Sequence, residues 1–167
     1  GEGAGDGAIA AHAYLELGKH AQARHRDVDA DGFYSQAIHA CKSDRDRFAL
    51  DALCGRGRCR YRLYRMEEAI EDFARACAGA EALGDDELHA NLLLEQATAL
   101  DWAEKLEASA RCVERAKRLS EHLDSQQLSG RLLMAEGRSA YRAGRSDNAL
   151  ELLLQARGKG HARKTHR

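Results

Sequence analysis

Two stretches of the chain repeat the pattern Arg-x2-Tyr-Arg. They consist of Arg58, Tyr61 and Arg62, and of Arg138, Tyr141 and Arg142. A guanidinium group offers a rigid fork of donors to a carboxylate, and a tyrosine ring adds apolar contact area with a polar tip. Both residue types are enriched at the hot spots of protein interfaces. The pattern therefore favours recognition of another protein, with simple solvation of an exposed helix face as the alternative.

The five cysteines would support metal or redox chemistry only if their thiols came together. No two of them form a CxxC pair, and the nearest two in sequence are Cys54 and Cys59. On a helix, a separation of five residues turns two side chains about 140° apart. An odd number of cysteines suits reduced thiols in a cytosolic protein. We expect buried or half-buried thiols and no metal site.

Other motifs for catalysis or cofactor binding are also incomplete. The histidines show neither HxxxH nor HExxH spacing, and Gly158-Lys159-Gly160 lacks the remaining residues of a phosphate-binding loop. No local motif suggests a Ser-His-Asp or Cys-His arrangement. We therefore expect no catalytic residues, no cofactor and no enzymatic activity; the alternative is a site assembled from residues distant in sequence.

Composition narrows the class of protein further. Charged residues make up 32% of the 167 residues, yet the net charge is −1, which argues against nucleic-acid binding. No apolar run approaches eighteen residues, so we expect no membrane association and a cytoplasmic location. Proline is absent, and the strong helix formers Ala, Leu, Arg and Glu dominate. The sequence predicts an all-α fold.

An internal repeat of about forty residues organises the predicted helices. A small residue recurs at Gly18, Gly57, Ala97 and Gly137, and a second one at Ala30, Ala69, Ser109 and Ala149. A bulky apolar residue follows at Tyr34, Phe73, Val113 and Leu153, and a third small residue at Ala37, Ala76, Ala116 and Ala156. Small residues let two helix backbones approach closely, and the bulky residue fills the space beside them. The pattern predicts four helical hairpins.

The repeat resembles the tetratricopeptide repeat (TPR). Its signature is W-x2-L-G-x2-Y, then A-x3-F, and the first repeat reads Tyr14-x2-Leu17-Gly18-x2-Ala21, then Ala30-x3-Tyr34, then Ala37. The resemblance extends from about Ile9 to Gly158 and implies a right-handed superhelical solenoid of about four TPR-like hairpins. The period exceeds the thirty-four residues of the family and the closing proline is missing. Helices that are about one turn longer would explain both differences.

These features define the expected organisation of the chain. We expect a flexible N-terminal segment over 1–8, repeats over approximately 9–43, 44–84, 85–124 and 125–158, and a basic tail over 159–167. The eight predicted helices are 7–24, 28–42, 45–63, 66–83, 86–103, 106–123, 126–143 and 146–158. Asp44 is the predicted N-cap of the third helix, Gly84 the stop of the fourth, and Ser125 and Gly144 mark later loops.

The resemblance also implies where a partner would bind. In TPR proteins the inner face of the first helix of each hairpin lines a concave groove that contacts ligands. Carried over by register, the expected partner-binding residues are Lys19, Arg58, Tyr61, Arg62, Asn91, Glu95, Asp101, Trp102, Arg131, Arg138, Tyr141 and Arg142. The expected partner is a protein or peptide with acidic and hydrophobic residues.

Repeats of this length are similar to those of bacterial multidomain signalling regulators and TPR-bearing Ser/Thr kinases. That similarity implies a regulatory segment of a larger cytosolic signalling protein. The alternative function is a structural spacer or a self-association module without a peptide ligand. The last helix contains the largely apolar stretch Ala149-Leu150-Glu151-Leu152-Leu153-Leu154. It therefore predicts either a further repeat or homo-oligomers formed through the terminal repeats.

Overall fold

The computed structural model describes residues 2–162, with side chains described for residues 6–158. These residues form eight α-helices, and the described range contains no strand. The helices are α1 Glu2–Ala23, α2 Asp27–Ala40, α3 Arg47–Arg62, α4 Met66–Leu83, α5 Asp86–Trp102, α6 Leu106–Ser120, α7 Gln126–Arg142 and α8 Ser146–Ala162. All eight helices predicted from the sequence are present.

The ends of the chain differ from the expected boundaries. Helix α1 begins at Glu2, so most of the segment 1–8 that we expected to precede the helix lies within it. Helix α8 continues to Ala162, beyond the expected end at residue 158. Neither extension meets a proline, so nothing in the sequence interrupts the helical hydrogen bonds. The rest of the predicted basic tail, 163–167, lies outside the described residues.

The start of α3 corrects one prediction of a helix cap. The N-cap is Asp46, whose side chain accepts a hydrogen bond of 2.9 Å from the backbone N–H of Phe48. Asp44 instead accepts two hydrogen bonds of 2.9 Å from the guanidinium of Arg75 on α4. The helix begins later because the chain first makes a turn, in which the N–H of Asp46 bonds to the carbonyl of Ser43. Both aspartates are used, but in different roles from the one predicted for Asp44.

The chain divides into two compact units, residues 1–85 and 86–167. In the first unit, α3 packs against both α1 and α2. It runs antiparallel to α2, because Arg62 at the end of α3 bonds over 3.1 Å to Asp27 at the start of α2. In the second unit, α7 packs against both α5 and α6. Each unit therefore contains two hairpins and the packing of one hairpin on the next.

Small and bulky residues meet inside the hairpins as the repeat predicts. A methyl group added at Gly18 would lie 2.6 Å from the ring of Tyr34, and one at Gly57 would lie 2.8 Å from Phe73. In the third hairpin, the carbonyl of Ala97 accepts a hydrogen bond of 3.1 Å from the hydroxyl of Ser109. All four closing alanines are buried, namely Ala37, Ala76, Ala116 and Ala156. The helices approach too closely for larger side chains at these positions.

The turn between the two helices of a hairpin is the same in all four repeats. It contains a left-handed residue at His25, Tyr64, Glu104 and Gly144, with φ of 58°, 60°, 59° and 75°. The N–H of the next residue then bonds to the carbonyl five residues earlier, as in Arg26 to Ala21 and Arg145 to Ala140, both 3.0 Å. This is the bond that closes a Schellman motif. Gly144 is a loop residue as predicted.

Candidate functional site

Helices α5 and α7 present many of the residues predicted to bind a partner; we call this surface the α5–α7 face. Arg131 on α7 donates to Asn91 Oδ1 over 2.7 Å and to Glu95 Oε1 over 3.0 Å. Both acceptors lie on α5, one helical turn apart. The structure therefore joins three of the predicted residues in one cluster.

A second cluster lies nearer the C-terminal ends of the same helices. The side chain of Asp101 is only 11% exposed and forms an ion pair with Arg142, with 2.5 Å between Oδ1 and the guanidinium. Arg138 lies 3.6 Å from the same carboxylate and also donates to the hydroxyl of Thr98 over 3.3 Å. One mostly buried carboxylate thus orients two arginines, whose own side chains stay about one-third exposed. Fixed guanidinium groups lose less rotamer freedom when they bind a ligand.

Large apolar side chains accompany these arginines. Trp102, the residue after Asp101, is exposed at the end of α5, and Met134 and Tyr141 are exposed on α7. Met134, Arg138 and Tyr141 follow one another at helical spacings of four and three, which places them on one side of α7. Exposed Trp and Tyr next to arginine is the composition of an interface hot spot. The α5–α7 face can therefore contact both carboxylates and apolar groups.

The corresponding residues of the first unit are arranged differently. Lys19 pairs with Glu16 on its own helix over 2.9 Å, and this contact lowers the pKa of the Glu16 carboxyl. Arg62 pairs with α2 through Asp27, Arg58 is exposed and Tyr61 is half-buried. Lys19 and Arg62 therefore make their ion pairs with different helices. These two residues are thus not joined by a shared carboxylate, in contrast to Arg138 and Arg142 at Asp101.

The first unit also contains a buried ion network that we did not predict from the sequence. Asp72 on α4, 1% exposed, accepts hydrogen bonds of 2.6 and 3.0 Å from Arg56 on α3. Arg60 lies one turn later on α3. It pairs with Asp72 at 3.0 Å and with Asp31 on α2 at 2.8 Å. The network thus links α2, α3 and α4. Its bidentate, charge-assisted geometry compensates for the burial of the charges.

The outer part of this network is closer to solvent. Arg65 pairs with Asp31 over 3.0 Å and with Glu68 over 2.5 Å. The arginine lowers the pKa of the Glu68 carboxyl, mainly through their hydrogen bond. A sequence signal for the network exists, because the repeat position of Asp72 holds Phe33 in the first hairpin and Leu152 in the fourth. A charge at a position that is elsewhere apolar indicates a buried partner.

The second unit has an open cleft where the first unit has this network. The cleft measures about 350 Å³ and lies among α6, α7 and α8. By register, its lining residues Ala140 and Leu152 stand where Arg60 and Asp72 stand in the first unit, and Glu136 replaces Arg56. Short and apolar side chains leave unfilled the volume that the arginines occupy. The two units thus share a backbone plan but differ in how tightly this layer is packed.

Cys41 and Cys59 lack the low pKa of a reactive thiol. Burial raises the pKa of the Cys59 thiol to about 12 and that of Cys41 to about 11, so both stay protonated near neutral pH. Within the part of the chain that the structure describes, no three His, Cys, Asp or Glu side chains come close enough to hold a metal ion. None of the described helices combines the length and apolar character needed to cross a bilayer.

Comparison with known proteins identifies the fold. No protein-family model and no curated protein matches the chain in sequence. Among solved structures, BtubC (BKLC) from P. vanneervenii matches with a TM-score of 0.79 and 14% identity, over 94% of this chain and 65% of that one. MamA matches with a TM-score of 0.71 and 15% identity, over 93% of this chain and 81% of that one. The chain thus spans just under two thirds of the length of BtubC.

A third matching structure is described as having TPR-like repeats. It is a kinesin light chain-like protein of Podosopora anserina with nearly identical TPR-like repeats. It matches with a TM-score of 0.75 and 18% identity, over 94% of this chain and 77% of that one. At these identities the likeness shows the fold alone. The predicted fold class, an all-α array of TPR-like helical hairpins, is confirmed.

Proposed function

We propose that this chain is a protein-interaction module whose α5–α7 face binds a segment of another protein. The observation that supports this most directly is the Asp101 cluster, in which one mostly buried carboxylate orients Arg138 and Arg142. The exposed aromatic residues Trp102 and Tyr141 stand next to members of this cluster in the sequence. The complementary ligand is a peptide or helix with acidic and hydrophobic residues. The net charge of −1 favours a protein over a nucleic acid as that partner.

The energetic basis of this recognition is preorganisation. A free arginine side chain loses rotamer freedom when it grips a ligand, and this loss reduces affinity. Here Asp101 and Thr98 already restrain Arg138 before any ligand arrives. The arginines keep donors exposed, so a ligand carboxylate can add to the cluster without first breaking it. Aromatic rings beside them bury apolar area and exclude water around the charged contacts.

The test uses random peptides displayed on phage and selected on the immobilised protein. We expect the selected peptides to be rich in Asp or Glu together with aromatic or aliphatic residues. A synthetic copy of one of them is then titrated by calorimetry. Removing a well-packed hot-spot arginine costs about 2 kcal/mol, so Arg138→Ala should weaken binding about thirtyfold. Its effect on the melting temperature should be small, since the ion pair is partly exposed.

The matched control is Arg118→Ala, which removes an exposed arginine from α6 and should bind the peptide like the wild type. Arg58→Ala and Arg62→Ala test whether the α1–α3 surface of the first unit also takes part. If all three predicted arginines can be removed without loss of affinity, the hypothesis of a partner-binding groove fails. A structural spacer, which needs no ligand groove, would then take its place.

The wider role we propose is that of a regulatory segment within a larger cytosolic signalling protein. It is supported by the similarity of these long repeats to those of bacterial multidomain regulators and TPR-bearing kinases. The sequence that encodes the chain in its natural context provides the test. A kinase or ATPase domain in the same reading frame would agree with this role, and a secreted or membrane-anchored context would contradict it.

A second candidate function is self-association. It is favoured by the exposure of Leu150, Leu153 and Leu154 along α8. Contiguous exposed apolar side chains on a helix favour burial against another protein surface. Because the two functions use different helices, a chain could both associate through α8 and bind a ligand through the α5–α7 face.

A further inference from the structure

Each terminal helix carries an uncovered apolar stripe. On α1, Ile9, Ala13 and Leu17 are exposed and follow one another at intervals of four residues. On α8, Leu150 and Leu154 are exposed with the same interval, so they lie one turn apart on one side of the helix. Leucine and isoleucine at such positions normally face another helix. Both stripes therefore lack the neighbour that their residue types favour.

The packing of α3 on α2 shows which neighbour fits. Arg60 on α3 bonds to Asp31 on α2 over 2.8 Å, and Arg56 on α3 bonds to Ser35 on α2 over 3.0 Å. These contacts join the first helix of one hairpin to the second helix of the hairpin before it. They define a docking geometry that the repeat can reuse wherever the same positions meet.

The repeat register maps this geometry onto the two ends of the chain. Leu17 and Ala21 on α1 are the equivalents of the two arginines on α3, one repeat earlier. Leu150 and Leu154 on α8 are the equivalents of their two acceptors on α2, three repeats later. The exposed Leu17 would therefore meet the exposed Leu154 where Arg56 meets Ser35 in the first unit. Ala21 is itself only 4% exposed, so the apolar match between the two faces rests on Leu17 and Leu154, with Leu150 one turn away on α8.

Charges at one end of the two helices are complementary in the same geometry. Arg24 lies just after the last residue of α1, and Asp147 lies in the first turn of α8. In the register that α3 takes on α2, antiparallel packing would set Arg24 opposite Asp147. Opposite charges would then meet at one end of the apolar stripe, which favours one direction of approach.

We propose that a second copy of this chain docks its α1 on α8 in the arrangement that α3 takes on α2. This inference rests on the self-association function proposed above and specifies its geometry. The contact is heterologous, because α1 of one copy meets α8 of the other. Every added copy leaves one free α1 and one free α8, so the assembly grows head to tail without a fixed end.

The experiment is sedimentation velocity from micromolar to near-millimolar concentrations, on the wild type and on Leu17→Glu and Leu150→Glu. We expect the wild type to form species that grow with concentration beyond the dimer. Each variant alone should stay monomeric, because one of its two faces is blocked. An equimolar mixture of the two variants should form a discrete dimer, because α1 of Leu150→Glu can still dock on α8 of Leu17→Glu. This rescue also shows that both variants are folded.

The control variant is Val28→Glu, which changes an exposed apolar residue on α2 and should associate like the wild type. The head-to-tail geometry would be overturned if the wild type formed only dimers, Leu17→Glu formed the same dimers, and mixing the two variants produced no additional association. The self-association function would then survive as a symmetric contact between two α8 helices. A wild type that stays monomeric at every concentration would overturn both. Neither outcome affects peptide binding by the α5–α7 face, which is measured separately.

Discussion

Asp72 forms ion pairs with two arginines in the interior of the first unit. Its carboxylate accepts from Arg56 and Arg60, and replacing it with alanine would leave both guanidinium groups without their shared partner. Breaking a buried ion pair from one side costs about 3–5 kcal/mol. We expect Asp72→Ala to lower the free energy of unfolding by that amount. Urea denaturation followed by circular dichroism measures it.

Glu68→Ala is the matched control for this prediction. It removes a carboxylate from the same network, but one whose side chain is 45% exposed. Exposed ion pairs contribute little to stability, so this variant should unfold nearly as the wild type does. Equal effects of the two substitutions would show that the network is solvated throughout.

Glycine positions test how closely the helices pack. A methyl group at Gly57 would lie 2.8 Å from the ring of Phe73, whereas one at Gly130 on α7 would meet nothing within 4 Å. Overpacking costs about 1–3 kcal/mol, so Gly57→Ala should destabilise the protein. Gly130→Ala should instead stabilise it by about 0.5–1 kcal/mol, because alanine is the better helix former. Thermal melts of the two variants should shift in opposite directions.

At the scale of the elements, the turn inside each hairpin contains a testable strain. Tyr64 adopts φ of 60°, a conformation that raises the free energy of the folded state. Its side chain is largely exposed, so it makes few packing contacts that could offset this strain. Glycine adopts this conformation without a Cβ clash. We expect Tyr64→Gly to stabilise the protein by about 0.5–1 kcal/mol, after the greater chain entropy of glycine is subtracted.

The control is the opposite substitution, glycine to alanine, at another left-handed residue that ends a helix. Gly84, the C-cap of α4, has φ of 67°. Gly84→Ala should destabilise the protein by about 1 kcal/mol, because alanine has a Cβ in that left-handed conformation. A melting temperature that falls for Tyr64→Gly would mean that the tyrosine ring contributes packing that outweighs the strain.

The elements themselves could be predicted because several independent signals coincide in the sequence. Small and bulky residues recur at fixed spacing, and Gly84 and Ser125 mark helix ends by residue type alone. The left-handed turns at Tyr64 and Glu104 could not be recognised, because those residue types rarely adopt positive φ. There the repeat imposes the conformation against the preference of the residue.

The candidate site was predictable only in part. Register placed Asp101, Arg138 and Arg142 on one inner face, and the structure joins them. Register could not show that the same carboxylate holds both arginines, since this depends on side-chain reach across two helices. It also could not show that the equivalent arginine of the first unit, Arg62, pairs with Asp27 on a different helix. Pairing between side chains is decided by distances that sequence spacing does not contain.

Across the whole molecule, the bulky site of the repeat loses burial toward the C-terminus. Tyr34 and Phe73 are each 1% exposed, Val113 is 7% exposed and Leu153 is 39% exposed. The open cleft among α6, α7 and α8 follows the same trend. Local unfolding is easiest where few apolar contacts must be broken. The fourth hairpin should therefore open more often than the first.

Hydrogen exchange followed by mass spectrometry tests this expectation in the monomer at low concentration. Amides of α8 should exchange faster than those of α1, although both helices are terminal, because α1 packs on Tyr34 and α8 supplies only the half-exposed Leu153. Fraying alone predicts similar exchange at both ends, so equal rates would contradict the packing explanation. Raising the concentration adds a second comparison within the same experiment. If α1 of one copy covers α8 of another, exchange in those two helices should slow together, while exchange in α4 stays the same.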